Sequence, residues 1–365
     1  MRVLHVVGAR PNFMKAAPVW QALGARGVPQ FLVHTGQHYD AKMSGVFFSE
    51  LGLPEPDVNL RVGSGSHAFQ TGEIMKRVEP VLEAQTPDLT LVYGDVNSTL
   101  AVALAACKLG ICIGHVEAGL RSFDRTMPEE VNRVLTDQIS DLLFTSAPEA
   151  GVNLLREGIP RGKIHFVGNA MIDSLVRLLP VARMRPTAQK MGLVGKAGGT
   201  RPYVLVTLHR PSNVDDGLRL ERICQVLGMV GQQCRVVFPV HPRTRVRLDG
   251  MIEELAAHGI LVTDPLGYLD FLCLQERARA VVTDSGGVQE ETTYLGVPCF
   301  TLRANTERPI TVTCGTNKLV GDDVEKLYGL LTSVLASGRQ AHEPLLYWDG
   351  RAADRIADVV VGFHK

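Results

Sequence analysis

Gly114–Arg133, GHVEAGLRSFDRTMPEEVNR, is where strand, loop and helix follow one another most plainly. The apolar run ending in Ile111-Cys112-Ile113 predicts a buried strand, and Met127-Pro128 opens a helix. A strand leading through a glycine-containing loop into a helix is the repeating piece of an open α/β sheet. Residues just past the carboxyl end of such a strand line the crevice where these sheets bind ligands. Glu117 stands near the strand end and Glu129 on the first helical turn, so both carboxylates are expected to face one pocket. His115, Arg121, Asp124, Arg125, Glu130, Asn132 and Arg133 crowd the same segment. A purely local reading competes with this one. Thr126-x-x-Glu129 fits a capping box with Pro128 near the first helical position, and Glu129 with Arg133 fits an i,i+4 pair.

The alternation continues outward in both directions. Strands are predicted at Val3–Val7, Gln30–His34, Thr90–Tyr93, Ile111–His115, Leu142–Thr145 and near His165–Val167. Between them fall helices at Lys15–Gly24, around Met43–Leu51, and at Gln70–Ala84, Ser98–Leu109 and Pro128–Ile139. Such β-α repetition predicts a parallel sheet with helices on both faces. Gly192–Pro202 is the clearest break in composition and puts a domain boundary between residues 170 and 200. A second series has strands at Tyr203–Thr207 and near Arg235–Pro239, Ile260–Thr263, Ala280–Thr283 and Cys299–Thr301. The expected fold is α/β, with two similar doubly wound domains facing a central cleft. An N-terminal domain spans 1–170, a linking region 171–200 and a second domain 201–345. A helix within 346–365, over Asp354–Phe363, packs back on one of the two.

Composition narrows the function classes. A chain of 365 residues suggests two domains, because one core rarely grows past about 250–300 residues. Lys plus Arg and Asp plus Glu both number 38, so there is no overall basic field for nucleic acid or an anionic membrane. The longest apolar stretch, Leu100–Ile113, is broken by Lys108 and Gly110 and reads as helix, turn and strand rather than a membrane span. The chain enters Val3–Val7 without a signal-peptide layout. Its cysteines (107, 112, 224, 234, 273, 299 and 314) form no CxxC pair. That odd, scattered set predicts reduced thiols in a cytoplasmic protein rather than disulfides or a zinc site.

Polar residues recur at the ends of the predicted strands. Gly8-Ala-Arg-Pro11, with Lys15 in the next helix, ends the first, and Tyr93-Gly-Asp-Val-Asn-Ser-Thr99 ends another. Alone, Arg10 reads as a solvated side chain and Asp95 as a cap on the Ser98 or Thr99 amide. Together, at one edge of one sheet, they predict a site. In the second half, Thr207-Leu-His-Arg-Pro-Ser-Asn-Val-Asp215 brings His209 and Arg210 to the crevice. Asp284-Ser-Gly-Gly-Val-Gln-Glu-Glu291 makes Ser285, Gly286 and Gly287 the start of a helix. Its free amides and dipole attract a phosphate, and the glycines let the backbone approach closely. Glu290 and Glu291 also suit the dipole on their own account. His209, Arg10 and Arg308 are the candidate cations for such a phosphate, while His209 alone also reads as a core histidine. The pattern is that of a nucleoside-diphosphate site lacking a Walker lysine motif.

GARPNFMK (Gly8–Lys15), TGQHYD (Thr35–Asp40), YGDVNST (Tyr93–Thr99), HVEAGLRSFDRTMPEEVNR (His115–Arg133), HRPSN (His209–Asn213), PVHP (Pro239–Pro242), DSGGVQEE (Asp284–Glu291) and TERP (Thr306–Pro309) occur in one order. In that order the chain resembles the non-hydrolysing UDP-N-acetylglucosamine 2-epimerases. The resemblance implies a two-domain fold of the GT-B type, UDP held mainly by the second domain, and a homodimer. It implies no metal or nicotinamide cofactor. It also implies elimination of UDP across C1–C2 of the sugar and its re-addition to the glycal with the proton on the other face. By position, Asp95, Glu117 and Glu129 match the family's catalytic carboxylates. Arg10, Lys15, His209, Ser285, Gly286, Gly287, Glu291 and Arg308 match its nucleotide and phosphate contacts, with His209 counted among the catalytic groups as well. Phe271 matches the segment that holds uracil. Gln37, His38, Arg210 and His241 match positions of a second, activating sugar-nucleotide site found in some members.

The chain departs from the common pattern in several places. Asn12 stands where many members have Glu, Met127 where many have Trp, and Pro211-Ser212 where many read Arg-Glu. The loop between Arg121 and Pro128 is shorter than in many bacterial members. Asp40 and Ser212 replace Gln and Glu of activator-dependent members, so weak or absent activation is expected. The three carboxylates are intact. Four other outcomes stay open: an epimerase of a related UDP-2-acetamido sugar, a hydrolysing 2-epimerase, a glycosyltransferase on the same architecture, and a non-catalytic nucleotide-sugar sensor.

Overall fold

A computed structural model describes residues 1–37, 48, 50–195, 199–339 and 341–363. His38, Asp40 and most of the helix expected around Met43–Leu51 lie outside the described residues. Thirteen strands are present among the described residues: β1 Val3–Val7, β2 Gln30–His34, β3 Val58–Asn59, β4 Leu89–Tyr93, β5 Cys112–Ala118, β6 Leu142–Thr145, β7 Ile164–Phe166, β8 Tyr203–Thr207, β9 Arg235–Pro239, β10 Ile260–Thr263, β11 Ala280–Thr283, β12 Cys299–Thr301 and β13 Asn317–Leu319. They form two parallel sheets. One has the order β3-β2-β1-β4-β5-β6-β7 and the other β10-β9-β8-β11-β12-β13. β1, β4 and β5 are buried along their whole length, as parallel strands covered on both faces are, which is why they read as mostly apolar runs, interrupted by the buried polar residues His5, Thr90, His115 and Glu117. In both sheets the strand order reverses beside the first strand, at β1/β4 and at β8/β11. Ligands bind at such reversals, because the loops there leave in opposite directions and open a crevice.

Two compact units result, Met1–Arg177 with Leu346–Lys365, and Leu178–Leu345. Each has its own core. Leu4, Val6, Val33, Val92 and Ile113 pack with the helices of the first unit, and Val204, Val206, Val236, Val282 and Phe300 with those of the second. Residues 171–200, read above as the linking region, carry the helices Ala170–Arg183 and Thr187–Lys190. Ala188 and Leu193 join an apolar cluster of the second unit. The C-terminal helix, Ala352–Val361, belongs to the first unit. Asp173 accepts the Ala352 and Ala353 amides at its start, and Arg26 meets Asp358 at 2.6 Å further along.

β5 runs three residues past its expected end. It shifts register between Val116 and Ala118, where Glu117 adopts φ +76°. A positive φ is uncommon and strained for a residue with a side chain. Here the bulge re-aims the Glu117 carboxylate.

Candidate active site

In the first unit the loops after β1, β4 and β5 converge. Lys15, on the helix Arg10–Ala25, puts its Nζ 2.7 Å from Glu117 Oε1, and both side chains are almost fully buried. Gly94, after β4, packs against this pair: a Cβ there lies 3.1 Å from Lys15 Nζ and 3.8 Å from Glu117 Oε1. With φ +64° as well, the position admits only glycine comfortably. Asp95 follows, its carboxylate held by Arg133 Nε at 3.1 Å and Nη2 at 3.0 Å. Asn12 accepts the Gly8 and Ala9 amides and donates to Tyr93 O at 2.7 Å, joining the first two loops.

The helix Pro128–Ile139 reverses the usual amphipathic pattern. Glu130, Arg133 and Asp137 are buried, while Val131 and Leu135 are exposed. Glu130 accepts the Ser122 and Phe123 amides, both at 2.9 Å, and pairs with Arg133. Asp137 binds His115 Nδ1 at 2.6 Å, Arg121 Nη2 at 2.6 Å and the Gly119 amide at 3.1 Å. Burial pushes the Asp137 carboxyl up, but His115 and Arg121 outweigh it and hold the group below the usual carboxylate range.

Several local readings of the sequence are corrected here. Thr126 caps nothing on this helix, because Met127 is the N-cap residue and the Thr126 hydroxyl bonds Asp124. Arg133 turns to Glu130 and Asp95, not to Glu129. Among the described residues the Glu129 side chain makes no hydrogen bond or ion pair, and it stands half-buried on the helix face that carries Asn132 and Arg133. Asp95 is no cap either: the Ser98 amide goes to Gln37 Oε1 at 3.2 Å. Gln37 is thereby tied into the first unit. Arg10 is exposed at the start of its helix.

In the second unit Asp284, fully buried after β11, organises the switch point. It accepts the His209 and Arg210 amides, the Asn213 amide group at 3.0 Å, and His209 Nδ1 at 3.1 Å. Desolvation lowers the His209 pKa below its ordinary value, against the opposing pull of Asp284. With Nδ1–H directed at Asp284, the neutral ring keeps Nε2 as an acceptor. Ser285 is the N-cap of the helix Gly286–Leu295 and uses no side-chain cap of its own. Arg308 lies against this helix start, 2.5 Å from where a Gly286 Cβ would stand. Its guanidinium is set by Glu290 at 2.9 Å and by Glu307. Glu291 is buried and takes a bond from Tyr268 at 3.0 Å. Phe271 packs on the apolar cluster that contains Tyr203 and Leu205. Arg210 Nε bonds Asp284 O at 3.2 Å, and His241 is exposed.

Sequence reasoning passed over Asn12, Asp137, Asp284 and Glu307 as organising groups. The one available signal is the i, i+3, i+7 spacing of Glu130, Arg133 and Asp137, a charged stripe on a helix whose other faces are no more polar.

A profile of the UDP-N-acetylglucosamine 2-epimerase family matches residues 21–361. The chain is 44% identical to the UDP-N-acetylglucosamine 2-epimerase of Methanococcus maripaludis, over 99% of this chain and 98% of that protein. It is 43% identical to the UDP-2,3-diacetamido-2,3-dideoxy-D-glucuronate 2-epimerase of Pseudomonas aeruginosa, over 98% and 99%. The crystal structure of the Methanocaldococcus jannaschii UDP-GlcNAc 2-epimerase in complex with UDP-GlcNAc and UDP matches with a TM-score of 0.89 at 42% identity, covering 100% of both chains. Identity at this level along the whole length does not depend on any single motif, and it carries both Rossmann-like units of the GT-B class with it. The chain belongs to the UDP-N-acetylglucosamine 2-epimerase family.

Proposed function

We propose that this chain interconverts UDP-N-acetylglucosamine and UDP-N-acetylmannosamine by eliminating UDP across C1–C2 and adding it back to the glycal. The observation that carries the reading is the convergence of Asp95 and Glu117, with Lys15, around Gly94 at the first unit's switch point. The proton on C2 is poorly acidic, so its removal needs a carboxylate placed beside it, and its return needs another on the opposite face. Asp95, Glu117 and Glu129 divide the proton transfers and the stabilisation of the oxocarbenium-like state. The leaving diphosphate takes the Ser285 hydroxyl, the Gly286 and Gly287 amides and the Arg308 guanidinium, the Ser285 amide being engaged by Thr283 Oγ1 at 3.0 Å. Glu291 holds the ribose hydroxyls and Phe271 the uracil, while His209, Arg10 and Lys15 complete the phosphate contacts. No electrons are lost or gained overall, so the scheme requires no redox cofactor.

The family likeness to a diacetamido-glucuronate epimerase favours a second substrate, a UDP-2-acetamido sugar altered at C3 or C6. One experiment separates the outcomes: proton NMR of UDP-N-acetylglucosamine with the enzyme in deuterated water. UDP-N-acetylmannosamine labelled at C2 is expected. Free N-acetylmannosamine plus UDP indicates hydrolysis, and an inert mixture that reacts when the diacetamido sugar is supplied indicates the second substrate. We further assign the protein to the cytoplasm as a homodimer. All seven cysteines are free, and among the described residues no helix is long and apolar enough to cross a membrane. Val131 and Leu135, exposed side by side, offer an apolar self-association surface, and light scattering of the purified chain tests the dimer.

A further inference from the structure

The three peptide carbonyls that carry the chain off β4 are each taken by a buried side chain from a different element. Tyr93 O accepts from Asn12 Nδ2 at 2.7 Å, Gly94 O from His115 Nε2 at 2.7 Å, and Asp95 O from Asn132 Nδ2 at 2.9 Å. The three donors are 2%, 0% and 7% exposed. Buried carbonyls need partners, so satisfaction alone explains one such bond. It does not explain why the central donor is an imidazole clamped on its far side. Asp137 holds His115 Nδ1 at 2.6 Å, and Asp137 is in turn fixed by Arg121 and the Gly119 amide. The ring therefore cannot turn away from Gly94 without breaking a buried network. His115 also sits two residues before Glu117 on β5. One side chain thus ties the loop bearing Asp95 to the strand bearing Glu117.

We propose that His115 is a positioning residue for Asp95: its Nε2 donor, locked by Asp137, sets where the Asp95 carboxylate stands relative to Glu117. The proposal rests on the reading that Asp95 transfers protons at C2. The alternative is that His115 serves only the buried contact with Asp137. Two isosteric variants divide these roles, because the glutamine amide reproduces Nε2 of histidine and the asparagine amide reproduces Nδ1. His115→Gln keeps the donor to Gly94 and loses Asp137, and His115→Asn does the reverse.

The experiment measures kcat, KM and C2 deuterium incorporation for both full-length variants, beside a thermal melt and UDP affinity. Misplacement of a catalytic group by about 1 Å costs roughly 10²-fold. His115→Asn is therefore expected to lose about that factor in kcat, with KM and UDP affinity within about threefold of wild type. His115→Gln should recover about tenfold or more of that loss, even if it melts earlier than His115→Asn. Equal losses that follow the melting temperatures, or an asparagine variant faster than the glutamine one, overturn the proposal. If either variant does not fold, Asp137→Ala is used instead. It removes the partner of His115 Nδ1 and leaves Gly94 and Asp95 untouched, and unchanged kcat in it overturns the proposal too. Asp95→Asn is run alongside: full turnover in that variant removes the reading on which the proposal rests, whereas an inactive Asp95→Asn with a fully active His115→Asn removes the positioning role alone.

Discussion

Glu129→Gln and Glu130→Gln, neighbours in the sequence, are expected to fail in opposite ways. Glu130 accepts Ser122 N at 2.9 Å and Ser122 Oγ at 3.0 Å on one oxygen and Phe123 N at 2.9 Å on the other, and it pairs with Arg133. A glutamine presents an NH₂ group where one of those oxygens accepted, so a backbone donor meets a donor. Losing a charge-assisted bond of this kind costs about 1.5–3 kcal/mol. Arg133 keeps Asp95, so the larger penalty of a stranded buried charge, about 3–5 kcal/mol, is not reached. For a unit of this size that lowers the melting temperature by roughly 3–12 °C. Glu129 holds nothing comparable, so its amide variant should melt within a degree or two of wild type, about ±0.5 kcal/mol. It should nevertheless lose about 10²–10⁴-fold in kcat while still binding UDP. Differential scanning of both variants, beside turnover in deuterated water with label followed into C2, decides the matter. If Glu129→Gln exchanges label normally but melts early, the residue is only part of a helix start. If Glu130→Gln melts like wild type yet is inactive, the division of labour drawn from the hydrogen bonds is wrong.

UDP should bind more weakly to Glu291→Ala and to Ser285→Ala by about 1.5–3 kcal/mol each in titration calorimetry, and unchanged affinity in both would sink the placement of ribose and diphosphate. Burial lowers the His5 pKa from 6.5 to about 3. The unfolded chain therefore takes a proton below pH 6.5 that the folded chain refuses until about 3, and stability drains away as pH falls across that window. The slope is about 1.4 kcal/mol per pH unit for the one group. Urea titrations from pH 7 to pH 4 should show His5→Gln losing less stability than wild type over that range, and parallel curves would contradict this. Initial rates against UDP-N-acetylglucosamine should be hyperbolic, since Gln37 is engaged by Ser98 and the chain departs at Asp40 and Ser212 from activator-dependent members. Sigmoidal rates, or a reverse reaction that stalls until UDP-N-acetylglucosamine is added, would show otherwise.

Both sheets were legible in the sequence for one physical reason. A parallel strand covered on both faces is apolar at most positions, so Val3–Val7, interrupted only by His5, and Tyr203–Thr207 announce themselves without a partner in view. The edge strands Val58–Asn59 and Asn317–Leu319 did not, because two or three half-covered residues carry no run and no alternation. Part of the candidate site was equally readable. The carboxyl ends of strands at a reversal of strand order form a crevice in each unit, so Arg10, Asp95 and Glu117 in the first, and His209 and Ser285 in the second, were read as strand-end residues from chain order alone. Their partners were another matter. Asp95 is one residue from a helix start that it does not cap, and it instead meets Arg133, 38 positions away. His115 and Asp137 are 22 apart, and His209 and Asp284 are joined across 75. Hydrophobic periodicity reports which side of an element turns inward, but it does not report what stands opposite. The pairing of one inward charge with another, and with it the different fates of Glu129 and Glu130, was decided only when the helix Pro128–Ile139 packed its charged stripe against β5 and the loops that follow β4 and β5.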